Sequence, residues 1–397
     1  MKFTQVSFIL WLVTLLVYST STSYVATLRQ DWANRGTDTL EIMTDTPHEE
    51  IRIGDFHAWI VNDTDSANRL SRDGRIRAVE EDSEVHIAYI SAFVDTRNVP
   101  WHLDRISHRS LKVRKPLTYV RVPEHTTGKS DSVVYILDTG VQRDHPEFGG
   151  RVVDSVSFSG GNGEDRNGHG THVAGLAGSR TYGSSKDTHI VNVQVLNEQG
   201  TGLWSNVLRG LAWAVAHFKN STYERGVVSA SLGGGLMRAI NDGFEAAVRQ
   251  GLVAVVAAGN EGRDACEVSP SSANLAITVG SVDQNNRISE FSNYGKCVDI
   301  YAPGERILST LHGGRTATMS GTSMAGPLVA GVIAMNVYHG QNYSWIDKRI
   351  KAQAGKVVSA SGEALPLNGE HTPKINNSPY LVLFNGVCTG CGDVFVN

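Results

Sequence analysis

Four short segments carry residue types that can attack a carbonyl. The run Val134-Tyr135-Ile136-Leu137-Asp138-Thr139-Gly140 ends apolar residues on a carboxylate. Asn167-Gly168-His169-Gly170-Thr171-His172-Val173 sets a histidine between glycines. Gly321-Thr322-Ser323-Met324-Ala325 offers a hydroxyl, and Ala257-Ala258-Gly259-Asn260 an amide. A serine hydroxyl is a poor nucleophile until a base takes its proton. Histidine suits that base because it titrates near neutrality. A carboxylate fixes its tautomer, and an amide donor stabilises the oxyanion that forms. Taken singly, Asp138 reads as a turn former, His169 as a loop residue and Ser323 as a helix cap. Their joint occurrence in longer motifs carries the reading.

The elements that must position these residues follow from periodicity. Apolar strands are expected over residues 133–137, 190–196, 226–232 and 252–257, with helices over 205–216 and 240–250 and a helix start over 172–177. Short apolar strands between helices imply an α/β fold with a mostly parallel sheet covered on both faces. Such sheets gather ligands at the carboxyl ends of their strands. Asp138 and Asn260 lie just past two such ends. Ser323 is expected at a helix start, with Pro327 inside the first turn where its missing N–H is no loss. Residues 341–397 are less regular and are expected to wrap the core.

Residues 24–92 have a different texture: polar, charged and poor in glycine. His57-Ala58-Trp59-Ile60 reads as an apolar helical face, and residues 75–87 as strand, acidic turn and strand. A small α+β unit is the expectation. Before it, Lys2 leads an apolar run over residues 6–18 and a small-residue stretch at 19–23, the shape of a secretory signal peptide over 1–23. The apolar run is short for a membrane span.

The chain has 397 residues, 41% hydrophobic and 19% charged, with a formal net charge of -4. Neither nucleic acid nor an anionic membrane is implied as partner. Four cysteines, Cys266, Cys297, Cys388 and Cys391, allow two bridges in an exported chain. Cys388 and Cys391 read as a small terminal disulfide loop rather than a redox pair. Sequons occur at Asn62, Asn220, Asn342 and Asn376.

The motifs resemble those of the subtilisin-like serine proteases, and within them the proteinase K group. The resemblance rests on Ile136-Leu137-Asp138-Thr139-Gly140, on residues 168–175 around His169, on Ser231-Leu232-Gly233-Gly234, on Ala257-Ala258-Gly259-Asn260, on Phe291-Ser292-Asn293-Tyr294-Gly295 and on residues 321–327 around Ser323. It runs from about residue 100 to at least 331. It implies a serine endopeptidase with Asp138, His169 and Ser323 as triad and Asn260 as oxyanion donor. Gly326 and Leu328 depart from the group's usual threonine and histidine.

The same resemblance implies that Ser231, Leu232 and Gly233, with the segment around Gly202, hold a peptide as an added strand. It places Ala257, Gly259 and residues 265–268 around the first specificity pocket, where apolar or aromatic side chains are expected, and Trp204 beside a further apolar pocket. A rival reading is a processing protease cutting after basic residues, with Glu267 as the one evident carboxylate. Another is a non-catalytic binding or chaperone-like module. Residues 24–92 resemble an inhibitory propeptide, processed between about His86 and Asp95, ahead of a catalytic domain over 93–397. Partners are then protein and peptide substrates and the chain's own propeptide. A secreted monomer is expected, with a lytic compartment as the alternative. The triad chemistry calls for no cofactor. By resemblance, Cys266 and Cys297 are expected to bridge, and a structural calcium ion is expected on the carbonyls of Asn274 and Ala276 and the carboxylate of Asp299.

Overall fold

The computed structural model describes residues 23–29, 48–87, 91–93, 99–108, 119, 131–335, 342–356 and 381–384. The signal-peptide reading over 1–22, Cys388, Cys391 and Asn376 lie outside the described residues.

Four N-terminal strands, β1 (Tyr24–Leu28), β2 (His48–Ile53), β3 (Phe56–Val61) and β4 (Ile76–Glu81), form an antiparallel sheet in the order β2-β3-β1-β4. Helix α1 (Thr64–Leu70) follows β3, capped by the Asp63 carboxylate on Ser66 N–H at 2.7 Å. Residues 57–60 therefore lie in a strand, not on a helical face. All six residues of β3 are buried because both sheet faces are covered. Ala26, Trp59 and Val61 pack with Ala67 and Leu70 of α1. Val25, Ile51, Ile53, Ala58 and Ile60 pack into the main core. A run buried on both faces loses its alternation, so periodicity alone could not separate strand from helix.

Strands β5 (Glu84–Ile87) and β6 (Ser91–Phe93) and helix α2 (Trp101–Ile106) lead into the larger body. Its strands are β7 (Ser132–Asp138), β8 (Val152–Ser157), β9 (His189–Gln194), β10 (Thr201–Leu203), β11 (Arg225–Ala230), β12 (Leu232–Gly235), β13 (Leu252–Ala257), β14 (Val268–Ser269), β15 (Ala276–Val282), β16 (Ile300–Pro303), β17 (Ile307–Leu311), β18 (Arg315–Ser320), β19 (Gly355–Lys356) and β20 (Leu381–Val382). Its helices are α3 (His169–Gly178), α4 (Trp204–Lys219), α5 (Arg238–Arg249), α6 (Thr322–Ala334) and α7 (Tyr343–Gln353).

Nine strands form the central sheet in the order β19-β20-β16-β15-β13-β11-β7-β9-β8. Every pairing from β16 to β8 is parallel. Val134 and Ile136 face the core with α3 and α6, whereas Tyr135 and Leu137 face α4 and α5. Burial on both faces explains the unbroken apolar runs of β7, β11 and β13. Helix α6 is buried along its whole length. Its C-terminal carbonyls accept from the buried Arg225 guanidinium, Ala334 O at 3.3 Å and Met335 O at 2.7 Å. A cation there complements the helix dipole.

Helices α4 and α5 begin at N-caps, Leu203 and Met237, that offer no side-chain acceptor. The N-terminal unit supplies the acceptors. Asp82 Oδ1 takes Ser205 N–H at 2.9 Å, and the two Glu80 oxygens take Arg238 N–H and Ala239 N–H, each at 2.9 Å. The expected strand, acidic turn and strand of residues 75–87 are β4, Asp82-Ser83 and β5, and Glu80 and Asp82 of this stretch also serve as helix caps. Arg209 with Glu49 and Arg77 with Asp242, both at 2.6 Å, add ion pairs across the same boundary.

Candidate active site

Three adjacent parallel strands, β7, β11 and β13, deliver residues to one edge of the sheet. Asp138 is the last residue of β7, Ser231 follows β11, and Asn260 follows β13. Asp138 Oδ1 accepts from His169 Nδ1 at 2.7 Å, and both side chains are fully buried. The same oxygen takes Thr139 N–H at 2.7 Å. This fixes the imidazole tautomer with its proton on Nδ1, leaving Nε2 as the basic nitrogen. Helix α3 begins at His169 itself, earlier than periodicity indicated, and Gly168 caps it at φ 99°.

The loop before His169 is tied by Asp165, which the sequence reading did not single out. Its Oδ1 accepts from Thr139 Oγ1 at 2.9 Å and from Gly168 N–H at 2.7 Å. Its Oδ2 accepts from Thr171 N–H at 2.8 Å and Thr171 Oγ1 at 2.6 Å. With Asn167 N–H on Oδ1 at 3.1 Å, this buried carboxylate has five donors and clamps the Asp138 loop to the His169 loop. The available signal was an Asp placed shortly before a glycine-rich helix start. His172 turns away from the site. Its Nε2 lies 3.1 Å from Ile307 O and 3.0 Å from Ala317 O, and burial pushes its pKa down to about 3.

Ser323 is the second residue of α6, after the Gly321 cap. Its backbone N–H belongs to the first helical turn, where N–H groups lack intrahelical partners. Pro327 is the sixth helical residue, beyond the first turn where it was expected. Its missing N–H would have bonded Ser323 C=O. Ser231 Oγ donates to that carbonyl instead, at 3.0 Å, and Ser323 Oγ donates back to Ser231 O at 3.2 Å. Asn260 Oδ1 accepts from Thr322 N–H at 2.9 Å and Thr322 Oγ1 at 3.0 Å. That orients Asn260 Nδ2, which is buried and without an acceptor among the described residues.

A cleft beside these groups already holds a strand. β5 lies between β10 and β12, antiparallel to both, with Val85 opposite Gly202, His86 opposite Gly233 and Ile87 opposite Leu232. Trp204, fully buried, shares a core cluster with Val85. Ala257 and Gly259 lie at the end of β13. Gly259 has φ 101°, and a Cβ there would come within 2.3 Å of Asn293 Nδ2. Cys266, within the 265–268 segment, forms a disulfide with Cys297. Glu267 is exposed.

The calcium set does not fit. Asp299 Oδ1 accepts from the Lys351 ammonium at 2.7 Å, and Oδ2 from Thr278 N–H at 2.8 Å. Asn274 is held toward Glu245, which accepts its N–H at 2.9 Å. An ammonium on the one carboxylate of the set disfavours a second cation there. Of the expected set Asn274, Ala276 and Asp299, the one carboxylate is thus paired with Lys351.

Comparison with known proteins gives the family. Residues 129–356 match the model of the subtilase family, peptidase S8. The chain is 38% identical over 313 residues to a cuticle-degrading protease of Metarhizium anisopliae, covering 78% of each chain. It is 43% identical over 260 residues to proteinase R of Parengyodontium album, covering 65% of this chain and 64% of that one. A cold-adapted subtilisin-like serine proteinase of known structure superposes with a TM-score of 0.62 at 34% identity, covering 74% of this chain and all of that one. The match spans the strand ends and helix starts that carry Asp138, His169, Asn260 and Ser323, and the chain belongs to the subtilase family as a subtilisin-like serine endopeptidase.

Proposed function

We propose that Ser323, His169 and Asp138 hydrolyse peptide bonds through an acyl-enzyme, with Asn260 as oxyanion donor. The observation that carries this is the buried 2.7 Å contact of Asp138 with His169, at the same sheet edge as Ser323 and an orphan Asn260 amide. His169 Nε2 takes the Ser323 proton as Oγ attacks the substrate carbonyl. Asp138 stabilises the imidazolium. The oxyanion accepts from Asn260 Nδ2 and Ser323 N–H. His169 then protonates the leaving amine, and water, deprotonated by the same nitrogen, releases the acid.

In this reading the chain from residue 24 to the maturation cut acts as an inhibitory propeptide, behind a signal peptide over 1–23 and ahead of a secreted catalytic domain. Support comes from β5, which already occupies the position of an added substrate strand. Ile87 pairs in register with Leu232, and β6 resumes at Ser91 opposite Ser320, three residues before Ser323. The bond cut in maturation accordingly falls between Ile87 and Ser91. Val85 beside Trp204 occupies the further apolar pocket. Small residues at Ala257 and Gly259 favour apolar or aromatic side chains in the first pocket. A basic preference has only the exposed Glu267 to recommend it.

A fluorophosphonate label followed by peptide mapping tests the assignment. The account expects the adduct on Ser323; an adduct on another serine contradicts it. A peptide panel varied at the residue before the cut should favour Phe, Leu and Ala over Lys and Arg. The reverse order would revive the processing-protease reading.

A further inference from the structure

A lysine occupies the carboxylate on which the family resemblance puts a structural calcium ion. Asp299 is tied to β15 by its own N–H to Thr278 O at 2.9 Å and by Thr278 N–H to its Oδ2 at 2.8 Å. Its Oδ1 accepts from Lys351 Nζ at 2.7 Å. The same ammonium lies 2.7 Å from Asp347 Oδ1, one turn earlier on α7. Ile346 and Ile350 of α7 are buried in the core that also contains Ile277 and Ile300. Lys351 is therefore delivered by a packed helix, not by a loose side chain. The two carboxylates are largely shielded, at 21% and 20% exposure, which strengthens their hold on a cation.

Calcium would need Asp299 oxygen at about 2.3–2.6 Å together with five or more further oxygens. The ammonium already fills the space next to Oδ1, and its charge repels a divalent ion. Asn274, whose carbonyl would be a ligand, has its N–H and Nδ2 both engaged by Glu245 Oε1, at 2.9 and 3.1 Å. We propose that Lys351 is the resident cation of this site, replacing calcium and locking α7 onto the β15–β16 edge of the sheet. A cation borne by the chain cannot be lost to dilution or chelation. It also makes the attachment of α7 depend on one side chain.

The test reads thermal unfolding of the full precursor carrying Ser323→Ala, which suppresses self-digestion without touching this site. The melting temperature of that protein should be the same in chelator and in millimolar calcium. Lys351→Met should lower it in chelator by roughly 3 °C or more. Millimolar calcium should restore at least half of that loss, because Asp299 and Asp347 are then free to bind it. Lys351→Arg, which keeps the charge, should stay close to the parent in chelator. Three outcomes overturn the proposal. One is a calcium-dependent rise in the Lys351 protein that Asp299→Asn abolishes. Another is no loss in Lys351→Met. The third is a loss that calcium does not repair, which would leave an ordinary ion pair. The first comparison needs no substitution at Lys351, so a misfolded variant would not block it.

Discussion

Asn260 has its side-chain oxygen committed to Thr322, which leaves its Nδ2 as the donor that the proposed mechanism gives to the oxyanion. Asn260→Ala keeps nucleophile and base and loses one donor. It should cost about 3 kcal/mol of transition-state stabilisation, the size of such a donor in related enzymes, or roughly a hundredfold in kcat. Peptide hydrolysis by the variant measures it; an unchanged kcat contradicts the role. Gly326 offers a stability test on the same helix. A Cβ there would meet nothing nearer than 4.0 Å, at Ala257 N and Ser231 Oγ. Gly326→Ala should therefore stabilise by roughly 0.5–1 kcal/mol, read from denaturant unfolding. The residues to which the proposed mechanism gives the chemistry were legible because each stands in a local motif whose neighbours that chemistry also needs. Asp165, Lys351 and the Ser231 hydroxyl were not. Their roles depend on contacts across 6 to 92 positions of sequence, and no local pattern marks an acceptor that folding brings from elsewhere.

Among the elements, β13 was read with the bounds it has, and β7 within one residue, because alternating turns and apolar runs punctuate a parallel sheet. β3 was misread because both of its faces are buried. Residues 75–87 were read as strand, acidic turn and strand, which β4 and β5 bear out; that Glu80 and Asp82 also cap α5 and α4 was not read. Helix starts at Leu203 and Met237 carry no cap residue of their own, and that gap was the only clue in the sequence. Glu80→Ala and Asp82→Ala should each weaken the hold of the N-terminal unit on the catalytic body by about 1 kcal/mol. Added as a separate inhibitor, each variant should bind the mature enzyme roughly fivefold more weakly. Equal inhibition constants would show that the caps do not contribute to docking. The disulfide of Cys266 and Cys297 closes a loop of sequence separation 31 beside the first pocket. Replacing both by serine should cost roughly 3 kcal/mol.

For the molecule as a whole, acid stability follows from two buried histidines. Burial pushes both His102 and His172 down to about 3, below their ordinary value of 6.5. Between those values the unfolded chain binds the protons and the folded chain does not. Their contribution is present above pH 6.5 and is lost as pH falls toward 3, at roughly 1.4 kcal/mol per pH unit for each. Urea unfolding between pH 6 and 4 should show a slope shallower by about one proton in His172→Asn than in its parent. An equal slope would contradict the buried neutral state. The largest claim is that this precursor cuts its own chain with Ser323 while β5 lies in its cleft. A time course of precursor cleavage tests it most directly. The unmodified precursor should release a fragment beginning between residues 88 and 91, and Asn260→Ala should do so slowly. Ser323→Ala, purified free of other proteases, should fold and remain whole. Cleavage of the Ser323→Ala precursor at the unmodified rate would contradict the account.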